Sequence, residues 1–128
     1  MPNAMILSLI MQYAGAYHVP PDLAMAIVQY ESSFNLTAKG AAGEVGLFQL
    51  LPSSFPEYTE KQLFNPETNI KLGIRYLADM KESCVYRKNY QYTICFNLGP
   101  EKAKKVKHPM QFPYYKKIME NMNHGPAH

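Results

Sequence analysis

The chain has 128 residues and a formal net charge of +3; 47% of its residues are hydrophobic and 18% are charged. This is ordinary globular usage, sufficient for one domain with a buried core and too short for a second domain. No stretch reaches the ~20 apolar residues that span a membrane, so we predict no membrane-spanning helix. We expect one domain over residues 1–122 and a frayed, flexible tail over 123–128.

Apolar residues recur at helical spacing along most of the chain, which predicts a mainly α fold. A first helix is expected over residues 5–17. Pro20, Pro21 and Asp22 then form a signal for the start of a second helix.

Further helices are expected after a glycine-rich stretch. A short one is predicted over residues 52–55, and a longer one is capped by Asn65, with Pro66 in its first turn. A buried segment over residues 92–96 follows and breaks at Gly99. Helices that start near Pro100 and Tyr114 close the domain.

Glu31 continues the apolar stripe of the second helix. It follows Ile27 by four residues and Val28 by three, so its carboxyl group is expected on the face that packs into the core. Burial and the negative end of the helix dipole both disfavour the carboxylate and raise the pKa above the ~4.3 of a free glutamate. A glutamate that is protonated near neutral pH can act as a general acid. The alternative is a glutamate that ends a helix and points at solvent.

Gly40, Gly43 and Gly46 recur at every third position in a stretch without a helical stripe, which predicts a loop or a short hairpin. Glycine permits close approach to the main chain, so a polysaccharide strand could lie against this backbone. An ordinary tight loop between two helices is the alternative. Gln49 follows directly, and its amide offers the donor and acceptor that hydroxyl and N-acetyl groups require.

Cys84 and Cys95 are eleven residues apart, and two interpretations remain open. They form a disulfide if their helices are neighbours, or they are two small buried side chains. Neither cysteine lies in a CxxC motif or at zinc spacing from a histidine, so we predict no metal and no cofactor.

Four segments occur in an order and spacing that are typical of one enzyme family. They are ESSFNLTAKGAAGEVGLFQLLPSSF, FNPETNIKLGIRYLADM, CFNLGP and YYKKIM. Together they resemble the lytic transglycosylase domain of the soluble type, whose members cleave bacterial peptidoglycan. The match runs from about Leu9 to Met119, and four ordered motifs are specific where one alone is weak. The resemblance implies a single-domain lysozyme-like fold with the glycine-rich loop beside the cleft.

The resemblance also implies roles for the matched residues. Glu31 takes the position of the catalytic acid and base, and Ser32 takes that of a serine that orients it or the substrate. Gly46 begins the family's Gly-Leu-Met run, in which Phe48 replaces the usual methionine. Gln49 matches a glutamine of the cleft.

Later positions carry further implied roles. Asn97 belongs to the asparagine-x-glycine-proline turn. Tyr114 best matches the tyrosine that faces the catalytic glutamate, and Tyr115 is the alternative because residues 108–113 form a segment about two residues shorter than usual. Glu44 stands where the family usually has a small residue. It is either a solvated loop carboxylate or a group for substrate contact or charge stabilisation.

In the implied mechanism, one glutamate protonates the linkage between N-acetylmuramic acid and N-acetylglucosamine and then accepts a proton from the C6 hydroxyl, which closes a 1,6-anhydro ring. A second carboxylate, which ordinary glycosidases use, is not required. Two alternatives remain open: a goose-type muramidase, in which water completes the reaction, and a non-catalytic wall-binding or structural component of a phage tail or secretion apparatus.

Lysines crowd the last third of the chain. Such a patch suits anionic wall polymers, and a solvated helix face is the alternative; the lysines lack interleaved aromatic residues, so we predict no nucleic-acid partner. Residues 5–16 lack the basic start of a signal peptide. We therefore expect delivery to the periplasm or cell wall as a virion component, through a secretion apparatus or with a holin, and a phage or mobile-element origin. The lysines are Lys102, Lys104, Lys105, Lys107, Lys116 and Lys117.

Overall fold

The computed structural model describes residues 3–122, and within them the chain folds into seven α-helices without a β-strand. The predicted mainly α fold is confirmed. Two short 3-10 turns, Pro52–Ser54 and Pro109–Gln111, lie between helices. The helices are α1 (Ala4–Tyr17), α2 (Pro21–Ser32), α3 (Glu60–Phe64), α4 (Pro66–Ser83), α5 (Tyr92–Leu98), α6 (Pro100–Ala103) and α7 (Pro113–Met122).

The first two helices begin where the sequence predicts. The side chain of Asn3 caps α1 by accepting from the N–H of Ile6 at 2.8 Å. Helix α2 has Pro21 at its first position and ends at Ser33, whose φ of 51° is left-handed. Helix α1 packs on α4, and α2 packs on α7. The ends of α2 and α7 are thereby held together.

Helix α4 forms the centre of the domain. Its N-cap is Asn65, whose side chain accepts from the N–H of Thr68 at 3.1 Å, and Pro66 occupies its first turn, as expected. One face of the helix is fully buried. Its fully buried apolar side chains join those of other elements in one core: Ile10, Leu23, Ile27, Leu47, Phe48, Leu63, Ile70, Leu72, Ile74, Leu77, Ile94 and Ile118.

The glycine-rich stretch is a loop closed by two isolated bridges, Lys39 with Val45 and Val45 with Leu50. Of the two forms that the sequence allows, a loop and a short hairpin, the structure shows the loop. Gly43 and Gly46 adopt φ values of 93° and 77°, a region that glycine enters without steric penalty.

Helix α3 is absent from the sequence-based prediction. It begins with a capping box in which the hydroxyl of Thr59 accepts from the N–H of Gln62, and the side chain of Gln62 accepts from the N–H of Thr59. The signal was therefore present in the sequence.

Cys84 and Cys95 form a disulfide with a Cα–Cα distance of 6.8 Å, which joins the C-terminal end of α4 to α5. The interpretation of two unbonded buried side chains is wrong. The predicted tail over residues 123–128 lies outside the described residues. Among the helices of residues 3–122, none is both long enough and apolar enough to cross a membrane.

Candidate active site

A groove of about 500 Å³ runs across the end of α2, a volume that is typical of ligand-binding clefts. One wall consists of the glycine-rich loop and the segment that follows it. The opposite wall comes from α4 and from the end of α5. The lining residues are Glu31, Glu44, Phe48, Gln49, Leu50, Leu51, Ser54, Phe55, Glu57, Arg75, Tyr76, Asp79, Phe96, Asn97, Leu98 and Gly99.

Glu31 lies half-buried in this groove, in the last turn of α2. Its position follows from the helical register, because Ile27 and Val28 on the same face are fully buried. The pKa of Glu31 is raised to about 7: burial is the largest cause, a hydrogen bond from Tyr114 lowers the pKa, and the negative charge of Glu44 raises it. A substantial fraction of Glu31 is therefore protonated at neutral pH.

Tyr114 contacts Glu31 from α7. Its hydroxyl donates to Oε2 of Glu31 at 3.0 Å, and its ring meets that of Tyr30 edge-on at 4.9 Å. Burial and the neighbouring Glu31 carboxylate raise the pKa of Tyr114 well above 10, so its hydroxyl remains a donor. Tyr115 was the alternative for this role. That alternative disagrees with the structure, because the hydroxyl of Tyr115 donates to the carbonyl of Asn89 at 2.7 Å.

Three of the residues matched by resemblance have structural roles in the site. The hydroxyl of Ser32 donates to the carbonyl of Val28 at 3.1 Å, within its own helix. Gly46 is buried beneath the loop, where its N–H donates to the carbonyl of Ala38 at 2.9 Å. Phe48 reaches the groove wall but is 1% exposed, so it acts mainly as packing.

Gln49 lines the groove with its amide partly committed to the loop. Its Nε2 donates to the carbonyls of Ala38 at 3.1 Å and Gly46 at 2.9 Å. The glutamine therefore ties the two ends of the loop together as well as facing the groove. Asn97 also lines the groove, and it is exposed.

Glu44 also lines the groove. It is half-buried, and its Oε1 accepts from the N–H of Ala42 at 3.0 Å. The carboxylate is thus held by the backbone of its own loop.

One face of α4 supports the site, and the sequence analysis did not identify it. Asn69 is fully buried and accepts from the N–H of Phe48 at 2.8 Å, while it donates to the carbonyls of Val45 and Leu63. One turn later, Gly73 makes room for the ring of Phe48. The i, i+4 spacing of Asn69 and Gly73 was a signal that could have revealed this face.

Helix α4 also supplies three residues that line the groove, the exposed Arg75 and Asp79 and the half-buried Tyr76. The ring of Tyr76 packs against Phe96 at 5.4 Å, which joins α4 to α5 at the groove. Among the described residues, no cluster of three or more histidine, cysteine or acidic side chains is arranged to hold a metal ion.

Comparisons with known proteins identify the family of the chain. The family model of the transglycosylase SLT domain matches residues 8–118. The soluble lytic murein transglycosylase of Escherichia coli (strain K12) is 30% identical over 103 residues, which covers 73% of this chain and 16% of that protein. The membrane-bound lytic murein transglycosylase C of Histophilus somni (strain 2336) is 34% identical over 87 residues, which covers 59% of this chain and 24% of that protein. The chain thus spans only about a sixth to a quarter of these relatives.

Two solved structures share the fold. An inactive mutant of the lytic transglycosylase Slt from Pseudomonas aeruginosa superposes with a TM-score of 0.74 at 20% identity, covering 90% of this chain and 22% of that one. The 70 kDa soluble lytic transglycosylase from Escherichia coli gives a TM-score of 0.67 at 26% identity, covering 90% and 20%. The predicted single-domain lysozyme-like fold is confirmed. The chain belongs to the family of transglycosylase SLT domains within the lysozyme-like superfamily.

Proposed function

We propose that this domain cleaves the β-1,4 linkage between N-acetylmuramic acid and N-acetylglucosamine in peptidoglycan and releases a 1,6-anhydromuramoyl product. The observation that carries the proposal is the environment of Glu31. Its carboxyl group lies in a groove, is hydrogen-bonded to Tyr114, and has a pKa raised to about 7 by burial. Membership of the SLT family and the names of the relatives support the same chemistry.

In the proposed mechanism, Glu31 acts first as an acid and then as a base. Its proton passes to the glycosidic oxygen as the bond between that oxygen and C1 of the muramoyl residue breaks. The C6 hydroxyl of the same sugar then forms the new bond to C1, and its proton returns to Glu31. No water is consumed, and the enzyme regains its initial protonation state.

The surrounding residues suit these steps. Tyr114 fixes one oxygen of Glu31, because its hydroxyl donates to Oε2, and leaves the other oxygen for the substrate. Asn97 and the side-chain carbonyl oxygen of Gln49 supply polar groups in the groove, where the sugar would lie.

A muramidase is the second candidate, and Glu44 is the observation that favours it. Hydrolytic glycosidases generally use two carboxyl groups, and Glu44 lines the same groove as Glu31. In that reaction, a water activated by the second carboxylate replaces the C6 hydroxyl. The product then retains a reducing end and is heavier by one water than the anhydro form.

The proposed site of action is the bacterial cell wall. A disulfide between Cys84 and Cys95 supports an oxidising compartment such as the periplasm. Delivery by a virion, a secretion apparatus or a holin, and the phage or mobile-element origin, remain predictions from the sequence.

Digestion of purified sacculi tests the proposal. Products of the parent protein are separated by liquid chromatography and weighed by mass spectrometry, and we expect anhydromuropeptides. Glu31→Gln should slow their release by ~10²- to 10⁴-fold, as is typical of losing a proton-transfer group, while cosedimentation with sacculi persists. The matched control is Glu82→Gln, an exposed position of α4 outside the groove lining.

Each other result identifies a different function. Hydrolysed products would assign the domain as a muramidase. A parent protein that binds sacculi and releases nothing would indicate a non-catalytic wall-binding role. Equal rates for the parent and Glu31→Gln would contradict both catalytic proposals.

A further inference from the structure

Glu44 is a second acidic group in the groove, and its position is fixed. Its Oε1 accepts from the N–H of Ala42 at 3.0 Å, and the N–H of Gly40 donates to the main-chain carbonyl of Glu44 at 2.8 Å. Both the main chain and the side chain of Glu44 are therefore hydrogen-bonded within the loop. A carboxylate held in this way keeps its charge at one place in the groove.

The backbone at Gly40 is shaped to this carboxylate. A methyl group added at Gly40 would overlap the carboxylate of Glu44, and it would lie 2.7 Å from Oε1 of Gln49. The carboxylate of Glu44 and the amide oxygen of Gln49 thus lie side by side against one Cα atom. The φ of Gly40 is not positive, so its backbone conformation does not require glycine. Glycine is needed because there is no space for a side chain.

The charged and titratable groups around Glu31 come from several elements. Tyr114 approaches from α7 and Tyr30 precedes Glu31 on α2, while Glu44 lines the same groove from the loop. Burial raises the pKa of Glu31 most; the hydroxyl of Tyr114 lowers it, and the negative charge of Glu44 raises it. The remaining charged groups that line the groove are Glu57, Arg75 and Asp79.

We propose that Glu44 is a positioning residue of the reaction, whose negative charge, anchored by the loop in the groove that also contains Glu31, favours positive charge on the sugar bound there. Glycoside cleavage passes through a cationic, oxocarbenium-like transition state. A fixed charge aimed at that state stabilises it without reorganisation. This inference rests on the proposed function, and it assigns Glu44 no bond-making or bond-breaking step.

Glu44→Gln is the appropriate test because glutamine retains an oxygen that can accept from Ala42, so the loop contact is kept while the charge is removed. The matched control is Glu60→Gln. Glu60 pairs with Lys39, the neighbour of Gly40, at 2.5 Å and is exposed outside the groove lining. This control removes one negative charge and an ion pair that holds the same loop. It therefore distinguishes the effect of loosening the loop from the effect of the Glu44 charge in the groove.

The first measurement requires no activity. Carbon-13 NMR of glutamate-labelled protein follows the titration of the Glu31 carboxyl group, assigned by its absence in Glu31→Gln. We expect the pKa of Glu31 to fall by about half a unit or more in Glu44→Gln. In Glu60→Gln it should match the parent.

The second measurement is the rate on soluble glycan strands from pH 4 to pH 9. We expect kcat of Glu44→Gln to fall about tenfold at the pH optimum with KM little changed, and the alkaline limb to move to lower pH. Gly40→Ala, which displaces the carboxylate, should change the profile in the same direction. Glu60→Gln should retain the parental profile.

Several results would overturn the inference. These are an unchanged Glu31 titration in Glu44→Gln, a fall in rate without movement of the alkaline limb, and hydrolysed products that vanish in Glu44→Gln, which would assign Glu44 as the base of a hydrolase. A parent that cleaves no peptidoglycan would defeat the proposed function instead, whereas the NMR titration would still report on the coupling of the two carboxyl groups.

Discussion

The hydroxyl of Tyr114 donates to Oε2 of Glu31 at 3.0 Å, although the two residues are 83 positions apart in the chain. Packing of α2 against α7 creates this contact. Tyr114 is 4% exposed, so the hydrogen bond lies in an environment of low polarity where water competes weakly. The catalytic candidate is therefore oriented by a helix that contributes no residue to the lining of the groove in the described chain.

Tyr114→Phe should move the alkaline limb of activity to higher pH. The hydroxyl donates to the charged form of Glu31 and lowers its pKa, so its removal raises the pKa further above 7. Loss of a hydrogen bond to a charged group corresponds to about one pKa unit or more. The aromatic ring remains to pack against Tyr30.

The measurement is a pH–rate profile on glycan strands, together with the NMR titration of Glu31. The alkaline limb and the pKa of Glu31 should move in the opposite direction in Glu44→Gln, so each variant serves as a control for the other. Tyr115→Phe, which removes a hydroxyl bonded to Asn89, should leave the limb in place. A limb that moves to lower pH in Tyr114→Phe would contradict the assignment of this hydrogen bond.

Glu31→Gln should stabilise the fold at alkaline pH. The folded-state pKa of about 7 lies above the ordinary glutamate value of 4.5, so between these values the folded state binds more protons than the unfolded state. Stability contributed by this group is therefore lost as pH rises from about 4.5 through 7. This pKa difference lowers the free energy of unfolding by an amount on the order of 3 kcal/mol at pH 8. Glutamine does not ionise, so the variant does not lose this stability.

Urea unfolding of the parent and Glu31→Gln at pH 4.5 and pH 8 measures this effect. The variant should gain stability relative to the parent only at the higher pH. Glu82→Gln, exposed on α4, serves as the control and should show no such dependence. Equal stability differences at both pH values would indicate that Glu31 has an ordinary pKa.

The sequence predicts the position of Glu31 well because helical periodicity determines which face a residue occupies. Ile27 and Val28 are buried, and Glu31 follows them on the same side. The choice between Tyr114 and Tyr115 is harder, since neighbours on a helix point about 100° apart and a segment of unusual length precedes them. The start of α7 at Pro113 directs Tyr114 towards Glu31.

Other features depend on tertiary contacts that no local pattern reveals. The inward amide of Gln49 could not be distinguished from an outward one, because a glutamine in a loop is compatible with both. The disulfide required Cys84 and Cys95 to be neighbours in space, and spacing alone left that open. By contrast, the capping box at Thr59 is a local sequence pattern, and it is sufficient to predict the start of α3.

Asn69→Ala should destabilise the wall of the groove. Asn69 is fully buried and makes three hydrogen bonds, with the N–H of Phe48 and the carbonyls of Val45 and Leu63. Alanine leaves the N–H of Phe48 and the carbonyl of Leu63 without this side-chain partner, whereas the carbonyl of Val45 still accepts from the N–H of Leu50; the loss costs about 3 kcal/mol. We expect a lower midpoint of thermal unfolding and reduced activity, because the loop that carries Gln49 loses its support.

Differential scanning calorimetry measures this loss. Lys71→Ala, at an exposed position two residues further along α4, is the control and should stay within about 0.5 kcal/mol of the parent. An Asn69→Ala protein that unfolds at the parental temperature would show that the loop holds itself in place.

Reduction of the Cys84–Cys95 disulfide should lower the stability of the parent. The bond closes a short loop between residues separated by eleven positions, and constraint of the unfolded chain by a loop of this size contributes about 3 kcal/mol. The loop joins α4 to α5, and α5 carries Phe96 and Asn97 of the groove wall.

Thermal unfolding with and without dithiothreitol measures the effect. The double variant Cys84→Ala with Cys95→Ala is the control, because dithiothreitol should leave its midpoint unchanged; an equal response of both proteins would argue against the bond.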